Sequence, residues 1–245
     1  MPTVTVIGAG VNMALNYVTN DAAPYSSALA GLITSGLTSG TLTPYQYNSG
    51  AAAPGPATGT DGLAMITTTP ATSVAIPATD TAVVVSTTGP VSITGGAPGS
   101  TVVAGSGGLS YTGITPSGTG TTSISAGDGP NLISTMPGTT GNYQINTGSG
   151  NDTVSVSGNA VVNAATGDND ISLGDGNSYI YSEGHDSITG STVPGASGTD
   201  TINIGSGQAT VNPGNNNLFI YATHEPSNPL LVMGGSGSDT ISVGM

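Results

Sequence analysis

The sequence predicts an all-β chain wound into a parallel β-solenoid, and three observations carry that expectation. Apolar residues recur at a short interval, a glycine stands at a fixed place before nearly every one, and the segments around them are rich in β-branched residues. With the apolar position as an anchor, the series is Ile93, Val103, Tyr111, Ile124, Ile133, Ile145, Val154, Val162, Ile171, Ile180, Ile188, Ile202, Val211, Ile220, Val232 and Ile241. Ten of the fifteen intervals are eight or nine residues, and the longer ones have room for loop insertions. The residue four before the anchor is Gly in fourteen of sixteen cases, the exceptions being Asn216 and Asn228. Asn is the non-glycine residue that best tolerates φ > 0, so a left-handed turn residue ahead of each short strand is expected.

Short strands joined by tight turns at this period stack as coils of two repeats each. Sixteen half-coils make about eight coils, roughly 38 Å long at ~4.8 Å per strand layer. The anchor points inward and its neighbours outward, which explains why DTVSV (Asp152–Val156) and DTINI (Asp200–Ile204) mix β-branched residues with Thr, Ser and Asn. A single coil buries little, so stability comes from stacking on its neighbours.

The N-terminal part has a different pattern. TVTVIG (Thr3–Gly8) reads as a strand, and Ala22–Leu37 places Leu29, Leu32, Ile33 and Leu37 at helical spacing, with Asn20 or Asp21 as the expected cap. AAAPGPATG (Ala51–Gly59) reads as a linker. Three β-rich stretches, Ala64–Thr69, Val74–Pro77 and Ala82–Ser86, are expected as irregular first coils. The organisation is therefore an N-terminal region for assembly or attachment (1–50), a linker (51–60) and a solenoid (61–245) whose repeats are clearest over 118–245.

Composition sharpens the chemistry. The chain of 245 residues has 13 acidic side chains and no Lys or Arg. Nothing neutralises phosphates or anionic lipid heads, which argues against nucleic acid and membrane surfaces as partners. Clustered carboxylates without a cationic partner raise one another's pKa, and a divalent cation is the natural compensation. There is no cysteine for disulfides or thiolate sites. The N-terminus lacks a charged leader region, and no apolar run reaches membrane-spanning length.

Alternate repeats of a solenoid share a side, and sorting the acids by alternate anchors gives two rows. One holds Asp128, Asn131, Asp152, Asp168, Asn169, Asp170 and Asp186; the other holds Asp175, Asp200, Asn215, Asn216, Asn217 and Asp239. Eight of the eleven aspartates fall in these rows. Calcium suits them, because it accepts carboxylate and carbonyl oxygens in flexible geometry, whereas zinc wants His or Cys. The candidate metal positions are the rows' Asp residues with Asn131 and Asn169, together with the turn glycines Gly150, Gly167, Gly184, Gly198, Gly235 and Gly237.

The best copies of the repeat are TGSGNDTVS (Thr147–Ser155), GASGTDTIN (Gly195–Asn203) and GGSGSDTIS (Gly234–Ser242). Over about 118–245 the chain resembles the RTX, or hemolysin-type calcium-binding, repeat family, whose pattern is Gly-Gly-x-Gly-x-Asp-x-U-x with U apolar. The resemblance implies type I secretion without a cleaved leader, an extracellular location, and folding driven by several calcium ions. Ser178 and Ala209 stand where the ligand Asp is expected, so fewer ions than loops are anticipated.

Other chemistry finds little support. His185 and His224 each precede an acid but lie far apart in the register, with no nucleophile set around them. No GxSxG elbow is present, and Gly8-Ala9-Gly10 lacks the third glycine of a dinucleotide loop. Tyr179, Tyr181, Phe219 and Tyr221 flank anchors on one side and are expected to form an outward aromatic strip. With no enzyme-like set visible, the expected role is structural. ISVGM (Ile241–Met245) carries no polar cap, and an open solenoid edge invites head-to-tail self-assembly into extracellular filaments or sheets, as biofilm matrix or surface layer. The alternative is a monomeric adhesin, or a glycan- or ice-binding module, with cell-surface polysaccharide as partner.

Overall fold

The computed structural model describes residues 1–47, 60–113, 120–138, 140–223 and 229–244. The expected linker, Ala51–Gly59, and both His224 and Glu225 lie outside the described residues. The chain is a continuous stack of short parallel strands in two sheets, of eleven and nine strands, making about nine turns. From Asp61 onward consecutive strands alternate between the sheets, so each sheet collects every second repeat.

The anchors stack on one another. In the second sheet Val74, Ile93, Tyr111, Ile133, Val154, Ile171, Ile188, Val211 and Val232 form one unbroken register column. In the first, Ile124, Ile145, Val162, Ile180, Ile202, Ile220 and Ile241 form another. The two columns meet in a single apolar core, except at the last turn, where Ile241 is exposed. One anchor is displaced: Ile124 pairs with Val102, so Val102 is the inward residue and Val103 faces outward. Val103 is nonetheless fully buried, because the N-terminal elements cover that face.

Those elements are a hairpin of β1 (Thr3–Gly8) and β2 (Val11–Asn16), then helix α1 (Ala23–Ser39). Ala9 and Gly10 turn the hairpin with φ of 47° and 80°, the two positive values that a tight two-residue turn requires. Gly8-Ala9-Gly10 is therefore a turn between antiparallel strands. Leu29, Ile33 and Leu37 of α1 are buried, while Leu32 is exposed. The cap is neither Asn20 nor Asp21: Ala22 holds that position without a side-chain bond, and Pro24 stands in the first turn, where its missing N–H costs nothing. Together α1 and the hairpin pack on the outer face of the first sheet, over Leu63, Ala82, Val84 and Val103.

After α1, β3 (Leu42–Gln46) joins the first sheet at its edge, parallel to β4 (Asp61–Ile66). The sheet thus begins within the first 50 residues. Tyr47 N–H bonds to Met65 O, so odd-numbered donors of β3 face β4. Pro44 then falls where a donor would face outward, and it blunts the free edge.

The repeated glycine has a second reason beside the expected one, which holds at only some of the turns. Gly129, Gly150, Gly167 and Gly207 have positive φ, whereas Gly158, Gly176 and Gly184 do not. What they share is close approach. A Cβ on Gly158 would sit 2.2 Å from Gly141 O, and one on Gly184 would sit 2.0 Å from Gly167 O. The turns stack backbone on backbone, and only hydrogen fits between them.

Candidate metal-binding turns

The structure gathers the predicted residues into two turn rows, one on each side of the coil. Within a row, however, the side chains divide by the alternation of the strand. The residue two before each second-sheet anchor points inward, giving the register column Leu109, Asn131, Asp152, Asn169, Asp186 and Ala209. Asn131, Asp152, Asn169 and Asp186 are all buried. An internal polar ladder of alternating amide and carboxyl thus runs through four coils, closed by Leu109 at one end and Ala209 at the other.

Each rung accepts a hydrogen bond from the backbone of the coil before it. Asn131 Oδ1 accepts from Leu109 N–H at 2.8 Å, Asp152 Oδ1 from Asn131 N–H at 2.8 Å, Asn169 Oδ1 from Asp152 N–H at 3.0 Å, and Asp186 Oδ1 from Asn169 N–H at 3.2 Å. The amides also donate forward, from Asn131 Nδ2 to Asp152 Oδ1 at 2.9 Å and from Asn169 Nδ2 to Asp186 Oδ1 at 2.8 Å. Ser182 Oγ bonds the other oxygen of Asp186.

Burial pushes the Asp152 carboxyl up to about 6, against the lowering effect of Thr147 and of the Asn131 N–H groups; Asp186 adds a further upward push. Asp186 itself is raised, again by burial. Asp152 Oδ2 and Thr147 Oγ1 are buried without hydrogen-bond partners. The hydroxyl is near enough to act on the carboxyl electrostatically, yet it is out of bonding geometry.

The opposite row has its own buried set. Asp200 stands between Ser178 and Leu218 in the register and is buried, as is Asn216 in the adjoining turn. Asn216 Nδ2 donates to Asp200 Oδ2 at 2.9 Å. Asp200 Oδ1, Asn216 Oδ1 and Ser178 Oγ are buried and without partners. Burial raises the Asp200 carboxyl to about 6, despite the lowering influence of Asn216 and Ser178.

The remaining candidates face solvent or serve elsewhere. Asp168 is exposed and pairs with His185 at 3.2 Å; Asp170, Asp175 and Asp239 are exposed as well. Gly150, Gly167, Gly184, Gly198 and Gly237 lie on the stacked turn edges, each against a backbone oxygen of the preceding turn, as does Gly235. Asn215 donates to Val193 O and accepts from Ser236, and Asn217 accepts from Ser238 N–H.

Asp128 is a clamp. Its carboxylate accepts from Val18 N–H at 2.6 Å, Thr19 N–H at 3.0 Å and Thr19 Oγ1 at 2.9 Å, and from Ser149 N–H at 3.2 Å and Ser149 Oγ at 3.0 Å. Burial alone would raise its pKa, but these donors outweigh it and hold it below the usual carboxylate value. Asp128→Ala strips partners from backbone N–H groups of two segments and is expected to cost about 2–4 kcal/mol. Faster hydrogen exchange at Val18 and Thr19 than in the rest of the chain checks this.

Among the described residues, no three His, Asp or Glu side chains converge on one point. A fit to calcium therefore rests on the orphaned oxygens Asp152 Oδ2 with Thr147 Oγ1, and Asp200 Oδ1 with Ser178 Oγ. These are hard oxygen donors of the kind calcium takes, and two of them carry carboxylate charge. Asn131 and Asn169 instead present amide protons to the turns and do not fit a cation.

Sequence reasoning placed the rows and missed the ladder inside them. The signal was present, since a residue two before an inward anchor is itself inward. Comparison of the chain with protein-family models, with characterised proteins and with solved structures gives no match to any of them.

Proposed function

We propose that the chain is a secreted structural solenoid of the RTX calcium-binding type, acting as a self-associating extracellular scaffold. The observation that carries the reading is the set of buried, partnerless oxygens at Asp152 and Asp200 in a chain with no Lys or Arg. Oxygens of this kind cost free energy unless a proton or a cation meets them. Calcium would supply that charge between stacked turns, held by Asp152 and Thr147 in one row and by Asp200 and Ser178 in the other. With one carboxylate per site, affinity belongs with weak extracellular modules, at about 10⁻⁴–10⁻³ M.

Self-association fits the outer face of the first sheet. The N-terminal helix and hairpin cover that face over its early strands. Further along, Val161, Tyr179, Phe219 and Tyr221 continue it as exposed apolar side chains. Pro44 blunts the β3 edge, which favours lateral contact through this strip over stacking end to end. Electron microscopy of the purified protein in calcium and in excess chelator tests the assembly. Filaments or sheets that dissolve on chelation support it; single particles in both conditions refute it.

The same strip motivates the second reading, a glycan-binding module. Exposed rings beside Asn163, Thr201 and Asn203 suit a neutral sugar chain, which offers apolar faces and hydroxyls together. Tyr179→Ser with Phe219→Ser is expected to weaken self-association at least tenfold and leave the Tm nearly unchanged. If the pair instead abolishes polysaccharide retention by a chain that stays monomeric, the binding reading replaces the scaffold.

A further inference from the structure

The oxygen arrangement around Asn131 is built like a cation site with a nitrogen at its centre. Asn131 Nδ2 lies 3.1 Å from Gly127 O, 2.8 Å from Gly129 O, 2.9 Å from Thr147 O and 2.9 Å from Asp152 Oδ1. Two of these oxygens come from its own turn and two from the next, so the amide bridges consecutive coils. The opposite row has a related device that reaches further: Asn216 Nδ2 lies 2.9 Å from Asp200 Oδ2 of the preceding coil, and 3.1 Å from Gly174 O and 3.3 Å from Gly176 O of the coil before that. A side-chain NH₂ has only two protons, so four oxygens about one amide nitrogen share them, a crowding that a cation would relieve.

The geometry points to an amide lock: the NH₂ groups of Asn131 and Asn216 occupy the place between turns that an ion would otherwise hold, and they make those joints independent of metal. The solenoid would thus carry two kinds of joint. At Asn131 and Asn216 neighbouring turns are tied by a neutral donor whatever the calcium concentration. At Asp152 Oδ2 and Asp200 Oδ1 the oxygens are left open. Withdrawing calcium then loosens particular joints and leaves the stack connected. The assignment of the open joints rests on the calcium reading, while the lock rests on the amide geometry alone.

Exchanging the donor for an acceptor tests it. Asn131→Asp leaves five oxygens facing one another with two negative charges, which demands a cation at neutral pH. In chelator at pH 7.5 the full-length variant is expected to melt roughly 5–10 °C below the unaltered chain. Adding calcium should restore that loss, and isothermal titration should count one more ion per chain than in the unaltered protein. Asn216→Asp, in the other row, provides the same test where the first variant fails to fold. No additional ion in either variant, or recovery by acid and not by calcium, overturns the lock. If the unaltered chain binds no calcium but Asn131→Asp gains one ion, the lock stands and the calcium scaffold falls; if the unaltered chain binds calcium and neither variant gains an ion, the reverse holds.

Discussion

Acidifying the metal-free protein from pH 7.5 to about 4.5 is expected to raise its melting temperature, the opposite of ordinary acid denaturation. Asp152 and Asp200 have folded pKa values of about 6 against 3.8 unfolded, both from burial, so the folded chain holds their protons more tightly. Their stabilisation is complete below the unfolded value and disappears as pH rises through 6. Each group is worth about 2–3 kcal/mol across that window. Asp186 shifts in the same direction. Asp128 is lowered, so its contribution is present above its unfolded value and is lost on further acidification. The Tm of the calcium-free chain should therefore peak near pH 4–5. Asp152→Asn, which extends the amide ladder by one rung, should raise the neutral-pH Tm and flatten this profile. A Tm that falls steadily from pH 7.5 to 4.5 contradicts the ladder's energetics.

The second large effect concerns the stacked turns. Gly167 has φ of 137°, and a Cβ there would lie 1.9 Å from Gly150 O. Gly167→Ala must push neighbouring coils apart or break the turn, and a loss of about 3–5 kcal/mol is expected. Gly31 is the internal control, since it lies inside α1 with nothing within 4 Å of a Cβ. Gly31→Ala should stabilise the chain by about 1 kcal/mol. Denaturant unfolding of both variants checks the pair, and equal effects would mean that turn contact does not limit the fold.

The two sheets were legible because solenoid columns stack like on like, so the isoleucines and valines that define the repeat also define the register. Val103 misled for a physical reason. Beneath α1 the outer face is as buried as the inner one, and Val102 and Val103 are both apolar, so alternation no longer marks the inward side. The strand Val11–Asn16 carried a readable signal in Val11, Met13 and Leu15, which alternate with polar or small residues and are all buried. β3 did not, because Pro44 makes an edge strand read as a loop. Sorting by alternate anchors separates the aspartates by sheet, as the strand order does. Whether an Asn or Asp in such a turn meets a metal or a backbone donor depends on carbonyls from neighbouring coils, and those are set only once the coils are stacked.

Calcium bound at the buried carboxylates would have to show itself in the stability of the fold. Thermal unfolding of the full-length chain at pH 7.5, in millimolar calcium and in excess chelator with magnesium as a control, addresses that directly. A Tm raised by calcium and not by magnesium, with the difference shrinking as pH falls to about 4.5, is the predicted result. Superimposable transitions in calcium and chelator at pH 7.5 would contradict it and leave the turns held by the amide ladder and their backbone contacts, without metal.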